Sequence, residues 1–132
     1  RHLCDEVLVL YLGHVVERGP RESVFIQYFG RPSATHRGAA AFALRSGAPL
    51  IATFLLRRED GTYDAVFESI DSSGLTGDRE AQIVELTKRH TAVVERYIRM
   101  RPDHWLWMHK RWKHTPEYEQ KQRADEDTQE SS

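Results

Sequence analysis

The apolar positions change period several times along the chain, and each change predicts an element. Val7-Leu8-Val9-Leu10-Tyr11-Leu12 is an unbroken apolar run rich in strand formers. Gly13 punctuates it, and residues 14–17 are expected to return as a second strand. Gly19-Pro20 is a break, because proline removes a donor and glycine frees φ. Ser23-Val24-Phe25-Ile26-Gln27-Tyr28-Phe29 is the next strand, ended by Gly30-Arg31-Pro32.

Residues 38–45 are rich in alanine and leucine and predict a short helix, with Gly47 placed as its left-handed cap. Residues 49–57 are apolar in near-continuous order, which suits a strand covered on both faces. Asp60-Gly61 is a hairpin signal, and residues 63–70 are expected to pair back antiparallel. Asp78 is the natural N-cap of a long helix running from Arg79 to about Met100. Ile83, Leu86, His90, Val93, Val94 and Tyr97 fall on its apolar stripe. Pro102 ends it. The order is β-β-β-α-β-β-α, an α/β chain expected to form a mixed sheet with flanking helices. The short helix would then be a crossover between parallel strands. Residues 117–132 carry Glu117, Glu119, Asp125, Glu126, Asp127 and Glu130 with no apolar period, so this polar acidic tail is expected to be disordered.

Charge narrows the function classes. The 132 residues hold 19 Lys+Arg and 20 Asp+Glu, a formal net charge of −1. That balance speaks against a nucleic-acid partner, which needs a basic surface to displace counterions. The longest apolar runs fall far short of the roughly 20 residues that span a bilayer. A single cysteine, Cys4, excludes an internal disulfide framework and any cysteine-rich zinc site. The start lacks both Met and a signal-peptide core, so the chain reads as an interior piece of a longer one.

Three tryptophans, Trp105, Trp107 and Trp112, lie within eight residues, interleaved with His109, Lys110, Arg111 and Lys113. They have two compatible readings. Indoles close a core, or they sit at a membrane interface beside cations that face anionic lipid. Arg31, Arg45, Arg57 and Arg58 are candidate phosphate or carboxylate contacts, because guanidinium binds such groups bidentately. His90 to Glu95 and His114 to Glu119 each spell His-x-x-x-x-Glu. On a continuous helix five residues turn roughly 500°, so such side chains diverge by about 140°. The same spacing separates His104, His109 and His114, which argues against one metal-binding face, and no metal or cofactor is expected.

From Gly19 to about Glu117 the chain resembles the late (lauroyl/myristoyl) acyltransferases of lipid A biosynthesis, within the wider glycerolipid acyltransferase group. The resemblance rests on Val24-Phe25-Ile26-Gln27-Tyr28-Phe29-Gly30-Arg31-Pro32-Ser33-Ala34-Thr35, on Leu44-Arg45-Ser46-Gly47-Ala48-Pro49, and on Arg57-Arg58-Glu59-Asp60-Gly61-Thr62-Tyr63. It closes on Pro102 followed by Trp105-Leu106-Trp107-Met108-His109-Lys110-Arg111-Trp112-Lys113, its most specific string. Where the family carries a proline after the Gly-Ala-Pro block, this chain has Ala52. Residues 1–20 resemble peptide-type ABC transporter ATPase subunits, though no phosphate loop is present.

The first resemblance implies the C-terminal half of the acyltransferase fold. It implies acyl transfer from acyl carrier protein to a hydroxyl of a lipid A precursor, at the cytoplasmic face of the bacterial inner membrane. The family's His-x-x-x-x-Asp/Glu motif, which lies well upstream of the Phe-Gly-Arg-Pro string, is missing here, so no catalytic residue is assigned. The expected organisation is an ATPase-like hairpin remnant at 1–18, a partial acyltransferase domain at 19–116 and the tail at 117–132. The alternative is a non-catalytic module that docks on an acidic carrier or an anionic membrane.

Overall fold

The computed structural model describes residues 23–105, 107–108 and 110–130. The two strands expected within residues 7–17 lie outside the described residues. The rest is mixed α/β, built from two small antiparallel sheets and three helices. In order, these are β1 (Ser23–Tyr28), β2 (Arg31–His36), α1 (Gly38–Ser46), β3 (Leu50–Arg57), β4 (Tyr63–Ile70), α2 (Arg79–Met100), a 3₁₀ turn (Pro102–His104) and α3 (Thr115–Glu130).

The strand ends before Gly30-Arg31-Pro32, and Arg31 begins β2, a strand the pattern did not predict. Phe29 and Gly30 form a two-residue turn with φ of 51° and 75°, both positive as a type I′ hairpin turn requires. Tyr28 then faces Arg31, and the register runs back to Ser23 opposite His36. The sequence pattern hid β2 because its buried side is polar. Ser33 and Thr35 point inward, and Ser33 is fully buried.

β3 and β4 form the second hairpin, with Leu50 opposite Ile70 and Arg57 opposite Tyr63. The expected mixed sheet with a parallel crossover is therefore corrected. Each sheet is a separate antiparallel pair, and α1 joins strands that are not neighbours. α1 itself ends as expected, with the Gly47 N–H donating to the Ala43 carbonyl at a φ of 72°.

The main core lies between α1, α2 and the β3–β4 sheet, where Ala40, Ala43, Ile70, Ile83 and Leu86 are buried together. α2 starts where Asp78 accepts from the Ala81 N–H at 2.8 Å. It is long enough to reach both sheets, burying Ile83 and Leu86 near its start and Ile98 near its end.

β3 is not covered on both faces. Its burial alternates, and one side of the hairpin shows Ile51, Leu55, Tyr63 and Phe67 to solvent, with Leu55 65% and Phe67 67% exposed. An apolar sheet face flanked by unpaired edges drives association. The chain is expected to self-associate at micromolar concentration, and Leu55→Lys with Phe67→Lys to shift it to monomer. Light scattering after gel filtration checks this; unchanged association in the double variant would clear this face.

The polar tail is helical rather than disordered over Thr115–Glu130. Its first turn is anchored. Buried Thr115 donates its hydroxyl to the Pro32 carbonyl at 2.5 Å, and Tyr118 stacks on Phe25 with ring centroids 4.0 Å apart. Two contacts to the β1–β2 hairpin thus hold a helix whose composition offers no apolar stripe.

Candidate functional site

Tyr28, the last residue of β1, is the hub of the segment that carries the tryptophans. Its ring lies 5.8 Å from Trp112 and 6.4 Å from Trp105, centroid to centroid. The Arg111 guanidinium sits over the same ring at 5.1 Å. Arg111 also donates to the Ala34 carbonyl at 2.9 Å and to the Thr35 hydroxyl at 2.8 Å. Its own carbonyl accepts from the Ser33 hydroxyl at 3.2 Å. With Thr115 on Pro32, this makes a continuous polar seam between β2 and residues 111–115. The polar face of β2 exists to receive it.

The electrostatics of the seam follow from burial. Desolvation lowers the Arg111 pKa. Tyr28 is pushed up to about 12 by burial, partly offset by Arg111. His90, on the facing side of α2, is pushed down to about 4 by burial and by Arg111, so it is neutral at physiological pH. The Tyr28 hydroxyl, His90 Nε2 and Trp112 Nε1 are buried with no hydrogen-bond partner among the described residues.

The sequence candidates therefore separate. Trp105 and Trp112 pack around Tyr28. Trp107 is 56% exposed, with its indole N–H donating to the Pro102 carbonyl at 2.7 Å. Lys110 and Lys113 face solvent, whereas Arg111 is turned inward onto β2. Its two acceptors on β2, the Ala34 carbonyl and the Thr35 hydroxyl, hold it there. His109 lies outside the described residues.

Arg57 and Arg58 come together with Arg101, Glu59 and Asp60 around an open cavity of about 500 Å³. Arg58 is neutralised by a bidentate pair with Asp64, and Arg101 by Asp103. An anion there would also meet Glu59 and Asp60. Arg31, at the β1–β2 turn, and Arg45, over the Phe42 ring on α1, line other surfaces.

The His-x-x-x-x-Glu strings do not make dyads. Glu95 accepts from the Phe29 N–H at 2.9 Å and from Arg99 at 2.6 Å, and His90 Nε2 has no hydrogen-bond partner among the described residues. Burial raises the Glu95 pKa, but these bonds outweigh it and hold the carboxyl below its ordinary value. His114 lies 4.0 Å from Glu117, an intervening residue of the string, and not against Glu119 at its end. His104 Nε2 accepts from Arg101 at 2.6 Å. Among the described residues, no three His, Cys, Asp or Glu side chains converge as metal ligands.

Tyr28, Ser33 and Thr35 went unnoticed as site residues. The only sequence signal for them is the distant Arg111-Trp112 pair, which needs acceptors wherever it is buried. Arg99 and Met108 were missed as well, because single exposed residues carry no pattern.

The family described as bacterial lipid A biosynthesis acyltransferase matches residues 1–114. The match takes in residues 1–20, so the stretch that resembles transporter ATPases lies inside it. A lipid A biosynthesis lauroyltransferase of Escherichia coli (strain K12) is 35% identical over 101 residues, covering 75% of this chain and 32% of that protein. The chain thus spans about a third of the length of the curated relative it matches. Among the described residues, no helix is long and apolar enough to cross a membrane. The seam that binds the Trp-rich string to the Phe-Gly-Arg-Pro hairpin joins two stretches inside that match, and the chain belongs to the bacterial lipid A biosynthesis acyltransferase family.

Proposed function

We propose that this chain is the C-terminal portion of a lipid A biosynthesis acyltransferase and does not catalyse transfer alone. In the reaction, a precursor hydroxyl attacks the thioester carbonyl of an acyl carrier protein. The carrier thiolate leaves, the ester forms, and a base takes the hydroxyl proton. The acyl carrier protein as donor and the cytoplasmic face of the inner membrane as location are part of this reading. So is the resemblance of these elements to half of the glycerolipid acyltransferase fold.

The observation that carries the inactivity is the fate of His90 and Glu95. A base needs an orienting partner and access to the hydroxyl. His90 is buried with Nε2 lacking a hydrogen-bond partner among the described residues, and Glu95 faces Phe29 and Arg99 instead. Purified chain, given labelled acyl carrier protein and lipid A precursor, is expected to show no transfer above background. Turnover that disappears in His90→Ala or His114→Ala would overturn this. The family role is tested in the opposite direction by grafting. Replacing the matched stretch of the E. coli lauroyltransferase with this chain's residues is expected to leave measurable transfer. A folded graft without activity would sink the acyltransferase reading.

A further inference from the structure

We propose that the β1–β2 turn, together with Trp107, Met108 and Lys110, forms one docking tip for an anionic phospholipid surface. The two features are distant in sequence and are brought together by Phe29. Trp107 and Met108 are consecutive large apolar residues left 56% and 85% exposed. Trp107 is held in place. Its ring centroid lies 6.4 Å from Phe29, and its N–H is fixed on Pro102. An indole fixed at the surface with one end in contact with backbone suits a membrane interface, where indoles are favoured.

Phe29 shows that the tip is built rather than incidental. A bulky non-glycine residue at a φ of 51° is an outlier that costs on the order of 1–3 kcal/mol. Three contacts hold it there. Its N–H donates to Glu95, its ring meets Tyr28 edge-on at 4.8 Å, and the Arg99 guanidinium lies 4.7 Å over its other side. The strained turn places an aromatic against Trp107, with exposed Arg31 two residues further on.

Charge chooses the occupant. Arg31 and Lys110 flank the apolar pair, both exposed and without an ion pair among the described residues. Arg99 adds a third cation, shared with Glu95. The acidic residues of α3 do not cancel them. α3 starts against Pro32 and passes Phe25 one turn later, so it runs back along β1, away from the turn. An apolar pair flanked by two cations unpaired among the described residues, with the nearby acids Glu95 and Asp103 each held in an ion pair with arginine, fits a negatively charged lipid headgroup layer.

Sedimentation of the full chain with vesicles tests this, without acyl donor, so that its failure is separate from failure of the acyltransferase reading. Vesicles of phosphatidylglycerol and phosphatidylcholine in equal parts are expected to bind the chain at least about tenfold better than phosphatidylcholine alone. Raising salt should weaken that binding. Trp107→Ala with Met108→Ser, and separately Arg31→Glu with Lys110→Glu, should each lower it by about tenfold or more. Lys88→Glu, a charge reversal on α2 far from the turn, should not, and unchanged melting temperatures confirm that the variants fold. Equal binding to both vesicle types, or binding that survives both pairs of substitutions, overturns the proposal. So does capture of acidic acyl carrier protein by the tip with no vesicle binding.

Discussion

Arg111→Met is expected to destabilise the chain by about 3 kcal/mol, the largest loss from any single side chain in the seam. Two charge-assisted hydrogen bonds, each worth roughly 1.5–3 kcal/mol, disappear. The Ala34 carbonyl loses that donor, and the Thr35 hydroxyl, which itself donates to the Ser33 carbonyl at 3.2 Å, loses its incoming bond. The desolvation penalty of the guanidinium is recovered, which keeps the loss from being larger. Urea unfolding followed by tryptophan fluorescence reads this directly, because Trp105 and Trp112 report on the same region. Arg111→Lys should recover only part of the loss, since an ammonium cannot reach two acceptors in a planar fork. A shift under 1 kcal/mol in Arg111→Met would mean the seam is held by Thr115 and the aromatic packing instead.

The second large effect is loss of stability in mild acid. His90 has its pKa lowered from 6.5 to about 4 in the folded chain. For a base with a depressed folded pKa, the unfolded state binds the proton more tightly. The stability is therefore present above pH 6.5 and lost as pH falls from there through 4. The shift corresponds to about 3 kcal/mol over that window. Glu95, whose folded pKa is also lowered, adds a loss of the same sign below its ordinary value. Tyr28, raised from 10 to about 12, acts at the other end, where stability is lost as pH rises through that range. Comparing urea midpoints at pH 7 and pH 4.5 should show the fall in the parent chain and a much smaller one in His90→Leu. Equal falls in both would assign the acid sensitivity to carboxylates.

What the sequence disclosed depended on which force shaped each element. α2 was legible from Asp78 to Met100 because a capping side chain, an apolar stripe and Pro102 all mark the same helix. α1 was legible from alanine content and Gly47. β2 was not, because its inward side chains are Ser33 and Thr35, and a polar strand buried by one arginine has no apolar period. α3 was missed for a related reason: its anchors to the β1–β2 hairpin, Thr115 and Tyr118, make no apolar stripe. The arrangement of strands was misjudged because short connections suggested a crossover, while nothing in the strands themselves encodes which edges meet. The Trp-rich string was visible as unusual, but the direction of Arg111 depended on acceptors nearly eighty positions earlier.

That separation in sequence also sets an order of events at the ribosome. Each hairpin closes a loop of a few residues, and α2 can form from its own length of chain. The seam instead links residues 77 and 83 positions apart, Ala34 with Arg111 and Pro32 with Thr115. Closing so long a loop carries a greater entropic cost than closing a hairpin, and it cannot begin until Thr115 has left the exit tunnel. Through most of synthesis, Ser33, Thr35 and Tyr28 wait beside water for a partner not yet made. The nascent chain therefore spends its longest interval with both sheets formed and the last clasp open, the stage at which a chaperone has most to protect.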